Sequence, residues 1–233
     1  MADESPPLYA RLAAAYVRGK LAHHDATAGV PELFGPPLDA LDEAAVDRLL
    51  QLGREQGLRL HRFKRTMGLA RVAKVLGTLK GLAPAELLDI GSGRGAFLWP
   101  LLDAFPGLPV TALDRLDYRA ADIQAVHDGG MGSVTALHGD VTALGFAEDS
   151  FDVVTLLEVL EHIPDTRRAL AEVCRVARRF VVLSVPNAPD SNPEHIHLFN
   201  TTTLEPLLRA AGAARVTFDS VQGHLLAVAK MSR

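Results

Sequence analysis

Hydrophobic positions in the second part of the chain come in short bursts separated by longer stretches of helical spacing. Leu87 to Ile90, Val110 to Leu113, Val134 to His138, Phe151 to Leu157 and Phe180 to Val185 are apolar runs of strand length. Between them the spacing predicts helices near 95–105, 117–128 and 167–178, with Pro100 delaying or kinking the first. The third strand leads instead into a short segment ending at Asp149. Thr201 to Ala211 is again helical, with Gly212 at its C-terminus, and two β-rich runs, Val216 to Ser220 and Leu225 to Lys230, flank Gln222-Gly223 as a hairpin. Strands alternating with helices imply an α/β fold with a mostly parallel sheet, which the closing hairpin makes mixed. The first 80 residues follow another pattern. Tyr9 to Val17 has helical periodicity, Ala22 to Pro37 has loop composition, and Asp39 to Gln56 is amphipathic through Leu41, Ala45, Leu49 and Leu52, with Gly57 as its stop. Met67 to Lys80 is a further helix leading into the first strand. Two regions follow: an N-terminal helical extension, residues 1–80, and an α/β domain, residues 81–233.

The strand-to-helix junction at Glu86–Leu98 carries the strongest chemical signal. Gly91, Gly93 and Gly95 follow the first apolar run at spacing two, and an amphipathic stretch begins at Ala96. Such a turn brings bare backbone and a helix N-terminus to a ligand. Gly91-x-Gly93-x-x-Ala96 also satisfies the dinucleotide fingerprint, so a nicotinamide-type oxidoreductase is the reading from a different class. Asp114 closes the second run roughly 20 residues past the glycines, where a carboxylate can accept both hydroxyls of a ribose. Asp140 and Val141 follow the third run, placed to accept from an adenine amino group and to offer a backbone N–H to its ring. Glu158 ends the fourth. Asp89, Asp114, Asp140 and Glu158 thus mark four successive strand ends, the edge at which open α/β sheets bind ligands.

This ordered series resembles the class I S-adenosylmethionine-dependent methyltransferases, within them the group that includes the ubiquinone-biosynthesis O-methyltransferases, over roughly residues 70–230. The resemblance implies a Rossmann-like seven-stranded mixed sheet flanked by helices, with S-adenosylmethionine as cofactor. Asp89, Gly91 and Gly93 would frame its methionine part, Asp114 its ribose, and Asp140 and Val141 its adenine. Glu158 would lie near the methionine end and the substrate, and the extension would cap the substrate side. The closing hairpin favours this sheet over the all-parallel dinucleotide fold.

Removal of an acceptor proton needs a further group, and a cluster is available. Glu158, Glu161 and His162, at i, i+3 and i+4, share a face if they lie on a helical turn. His195 and His197 sit in the loop after the fifth strand; two residues apart, they point to opposite sides if extended, so one of them faces the site. Three readings stand side by side: structural packing, a general base at His162, His195 or His197, and a divalent ion. In ubiquinone-biosynthesis O-methyltransferases and small-RNA 3′-terminal 2′-O-methyltransferases, Glu/Glu/His/His ligands hold a metal. That resemblance implies Glu158, Glu161, His162 and His197 as ligands for Mg²⁺, Mn²⁺ or Zn²⁺.

Composition narrows the rest. The net charge of −4 gives no global pull toward nucleic acid, so a small-molecule methyl acceptor and O-methylation come first and an RNA methyltransferase second. Charge nonetheless changes sign along the chain: residues 1–50 hold eight acidic and four basic side chains, residues 54–80 eight basic ones against Glu55. Arg62 and Arg65 in that basic run are either part of a solvated face or a clamp for an anionic group, such as the cofactor carboxylate. One cysteine, Cys174, allows no internal disulfide, and neither a membrane-length apolar run nor a secretory signal is visible, which points to a cytoplasmic setting.

Overall fold

The computed structural model describes residues 7–27, 29–63, 68–189 and 191–232. Seven strands form one sheet: β1 (Leu87–Ile90), β2 (Val110–Asp114), β3 (Val134–His138), β4 (Phe151–Leu157), β5 (Ala177–Pro186), β6 (Ala213–Val221) and β7 (His224–Met231). Their order is β3-β2-β1-β4-β5-β7-β6, with β1 to β5 parallel and β7 antiparallel between β5 and β6. This is the expected mixed sheet. Strand order reverses between β1 and β4, and the crevice at the carboxyl ends of such neighbours is where this architecture holds ligands.

Eight α-helices accompany the sheet among the described residues: α1 (Leu8–Leu21), α2 (Pro31–Phe34), α3 (Glu43–Glu55), α4 (Ala70–Leu82), α5 (Leu98–Ala104), α6 (Asp117–Asp128), α7 (Thr166–Val176) and α8 (Thr201–Ala210). Several boundaries differ from the sequence expectation for identifiable reasons. The α3 helix starts at Glu43 rather than Asp39 because the Asp42 side chain caps it, accepting from Ala45 N–H at 2.8 Å. The α5 helix starts late, which leaves Pro100 in its first turn, where no N–H is needed. The last strand of the parallel set takes over residues 177 and 178 from the expected helix and continues through Arg179. There Arg178 pairs with Glu86 and Arg179 with Asp152, both across neighbouring elements. The α8 helix is closed at its start by a capping box from Asn200 and Thr203.

Apolar residues on the two sheet faces form two cores. One unites Leu88, Ile90, Val154 and Leu183 with the buried stripes of α7 and α8. The other joins Leu87, Val110, Val134 and Val153 to α5 and α6 and runs on without a break into α1, α3 and α4. The extension is therefore layered onto the sheet domain through a shared core. Its packing is close: a Cβ at Gly19 of α1 would lie 2.0 Å from the Ala125 carbonyl of α6.

The basic run of the extension resolves at this contact. Arg62 forms an ion pair with Asp122 of α6, which Lys20 also reaches at 2.9 Å and to which Tyr16 Oη–H donates at 3.1 Å. Burial, with the Asp122 charge beside it, raises the Tyr16 hydroxyl to about 12. Arg62 therefore braces α6 instead of clamping a ligand; Arg65 lies outside the described residues. Next to Arg62, the Phe63 ring sits between Tyr16 and Trp99, with centroids 5.2 and 5.3 Å away.

Candidate active site

The chain turns sharply after β1. Gly91 adopts φ 74° and leaves no room for a side chain, since a Cβ there would lie 2.3 Å from Val159. Gly95 adopts φ 80° with the Trp99 ring against it, and Trp99 Nε1–H donates to the Arg94 carbonyl at 3.1 Å. Glycine is required at both positions by conformation and by space.

Two buried aspartates hold this turn from within. Asp89, 2% exposed, accepts from Ser92 Oγ–H at 2.7 Å and from Thr155 Oγ1–H at 2.8 Å. Burial pushes its carboxyl up to about 6, opposed by those two donors and reinforced by the charge on Asp114. Asp114 ties two segments together, since Gly93 N–H donates to Oδ2 at 2.8 Å and Leu116 N–H to Oδ1 at 2.9 Å. Asp140, at the end of β3, accepts from the Thr142 N–H and hydroxyl at 2.8 Å each, and these donors hold its carboxyl below the usual range.

A groove runs along this edge in two lobes. The larger, about 590 Å³, is lined by Asp114, Leu116, Asp140, Val141, Glu158 and His162, among others. The smaller, about 120 Å³, lies against Asp89, Gly91, Ser92, Gly93 and Glu158, with Arg71 of α4 at its wall. All seven expected cofactor residues thus border one groove, on four adjacent strand ends. Arg71 belongs to the basic run of residues 54–80, and nothing in one dimension says which of its cations faces the groove. Of the extension, only Arg71 and Val72 line either lobe among the described residues.

The catalytic and metal candidates divide differently. Glu161 is fully buried, and His162 Nε2 and His195 Nε2 lie 3.9 and 4.0 Å from its Oε1. The two imidazoles meet edge to face with centroids 4.7 Å apart. One ligand atom from each of the three residues falls within 4.8 Å of the others. His162 Nδ1 sits 2.9 Å from the Glu194 carbonyl, so in the tautomer that donates there Nε2 carries its lone pair toward Glu161. A backbone acceptor behind a histidine is a common support for a metal-ligating ring. The donor set and spacing fit a divalent ion.

Glu158 and His197 do not join this cluster. Glu158 closes β4 at φ 58°, and only Leu160–His162 form a helical turn, so the expected face shared by 158, 161 and 162 does not exist. Its carboxylate turns to Ser184 Oγ–H at 2.7 Å and His224 Nε2 at 3.0 Å. His197 Nε2–H donates to the Ile163 carbonyl at 3.1 Å. The loop sends its two histidines to different places, and His195 is the one that meets Glu161.

Comparison with known proteins agrees with this architecture. Residues 88–183 match the family model described as a methyltransferase domain. The chain is 34% identical over 137 residues to a demethylmenaquinone methyltransferase of Renibacterium salmoninarum, covering 57% of this chain and 53% of that protein. It is 35% identical over 156 residues to a malonyl-[acyl-carrier protein] O-methyltransferase of Methylococcus capsulatus, covering 60% and 56% respectively. The chain thus spans about half the length of these relatives. A solved S-adenosylmethionine-dependent methyltransferase from Aquifex aeolicus superposes with a TM-score of 0.59 at 19% identity, over 71% of this chain and 92% of that one, and so shares the fold. Sheet order, glycine turn and the match of residues 88–183 together support a class I S-adenosylmethionine-dependent methyltransferase domain in this chain.

Proposed function

We propose that the protein is an S-adenosylmethionine-dependent O-methyltransferase of a metabolite-sized acceptor, with a divalent ion at Glu161, His162 and His195. The observation that carries this reading is the buried Glu161 carboxylate between two imidazole nitrogens at the rim of the larger lobe. The names of the relatives, one an O-methyltransferase and one acting on demethylmenaquinone, support a metabolite acceptor.

Asp114 would hold the ribose hydroxyls of the cofactor, and Asp140 and the Val141 N–H its adenine, in the larger lobe, while the smaller lobe would take the methionine part. Arg71 has no ion pair or hydrogen bond among the described residues, whereas the two carboxylates beside it are engaged with Ser92, Thr155, Ser184 and His224. Its guanidinium is therefore available for the cofactor carboxylate. When bound, the cofactor would supply an electrophilic methyl on a sulfonium, with neutral thioether sulfur as the leaving group. A metal ion supplies acidity to the acceptor hydroxyl. The chain orients the reactants, lines the lobe with the apolar side chains of Val159 and Ile163, and provides the His162 Nε2 lone pair. That lone pair serves either as metal ligand or as proton acceptor, not both.

Calorimetry separates these roles. Chelator-stripped protein saturated with S-adenosylhomocysteine should bind Zn²⁺, Mn²⁺ or Mg²⁺ at one site per chain, and Glu161→Ala should abolish it while leaving S-adenosylhomocysteine affinity intact. Absence of metal binding in the wild type would leave His162 as the base; absence of S-adenosylhomocysteine binding would remove the cofactor assignment.

A further inference from the structure

Glu158 is held more firmly than a groove-lining residue requires. Its backbone is left-handed, at φ 58°, a conformation that a residue with a Cβ rarely adopts. Two side chains from two other strands then meet its two carboxylate oxygens. Ser184 of β5, fully buried, donates to Oε1, and His224, the first residue of β7, stands 3.0 Å from Oε2. His224 itself is placed by the hairpin: it pairs in register with Pro186 and Val221, and its Nδ1 lies 3.2 Å from the Gln222 carbonyl. The turn is tied down in its own right, since Asn187 N–H donates to the Gly223 carbonyl at 3.2 Å.

The location of this carboxylate gives the arrangement a purpose. Among the described residues only Gly91 and Glu158 line both lobes of the groove, and Gly91 has no side chain. Glu158 therefore presents a fixed negative charge where the lobes meet. On the cofactor reading given above, on which this inference rests, the sulfur joining adenosine to methionine falls at that junction. S-adenosylmethionine is cationic there and S-adenosylhomocysteine is neutral, so a carboxylate held at the junction discriminates between them. We propose that His224 is a positioning residue that, from the C-terminal hairpin, aims Glu158 at the sulfonium and so favours S-adenosylmethionine over S-adenosylhomocysteine.

Affinities of both ligands, measured by calorimetry on wild type, His224→Leu, His224→Gln, Glu158→Gln and the double variant His224→Leu/Glu158→Gln, test this. Wild type should prefer S-adenosylmethionine. His224→Leu should lower that preference severalfold, and His224→Gln, which returns an N–H near the place of Nε2, should recover most of it. In the Glu158→Gln background His224→Leu should change the preference no further. If the leucine variant does not fold, His224→Asn, whose shorter amide stops short of the carboxylate, takes its place. An unchanged preference in His224→Leu, or an equal loss in both backgrounds, would overturn the proposal. Wild-type protein that binds neither ligand would instead overturn the cofactor reading beneath it.

Discussion

Asp89 shows how a residue can border a site and still be engaged by the structure beneath it. Sequence position marks it as a strand-end carboxylate, yet both oxygens turn inward, to Ser92 and Thr155, so it shapes the glycine turn from beneath. Its carboxyl is raised from 3.8 to about 6 by burial. A raised folded-state value means that its contribution to stability is fully present below about pH 4 and is lost as pH climbs through 6, a change on the order of 3 kcal/mol. Asp89→Asn should remove that slope. Urea denaturation of the two proteins between pH 4 and 7 should show the variant gaining on the wild type as pH rises; parallel curves would refute the assignment. Comparison of the pair cancels the opposite slopes of Asp122, Asp140 and Glu172, whose carboxyls are held low by their donors.

At the scale of elements, an aromatic chain links the extension to the glycine turn. Tyr16 of α1, Phe63 and Trp99 of α5 pack ring on ring, and Trp99 holds the Arg94 carbonyl within the turn. Phe63→Ala opens a cavity between two rings and should cost about 3 kcal/mol. Because the sequence has a single tryptophan, its emission reports on this place alone. The variant should shift Trp99 emission to the red and lower the denaturation midpoint, and an unchanged spectrum with unchanged stability would dissolve the link. None of this was legible beforehand. Phe63 lies in a charged run that reads as solvated, and its partners are 47 and 36 residues away, as their numbers show.

For the molecule as a whole, the extension and the sheet domain meet at the groove through Arg71. If its guanidinium takes the cofactor carboxylate, Arg71→Gln should weaken S-adenosylhomocysteine binding by about tenfold or more, the scale of a charge-assisted hydrogen bond. Binding of 5′-methylthioadenosine, which lacks the amino-acid portion, should not change. Equal losses for the two ligands would mean that Arg71 acts only through the packing of α4. Among the described residues no helix is long and apolar enough to cross a membrane.

Strand and helix positions, the glycine turn, the acidic strand ends and the closing hairpin were readable from the chain because each is a local pattern: a hydrophobic period, a residue type at a turn, a carboxylate where a strand stops. The family resemblance rests on the same local features in order. Which charges pair across the fold is a different matter, because two side chains meet only after the strands are in register and the helices layered. Tertiary structure alone sent Arg62 to Asp122 and left Arg71 at the groove. It also turned Glu158 away from Glu161 by one left-handed residue, chose His195 over His197, and brought His224 from the far hairpin to the strand end at the centre of the sheet.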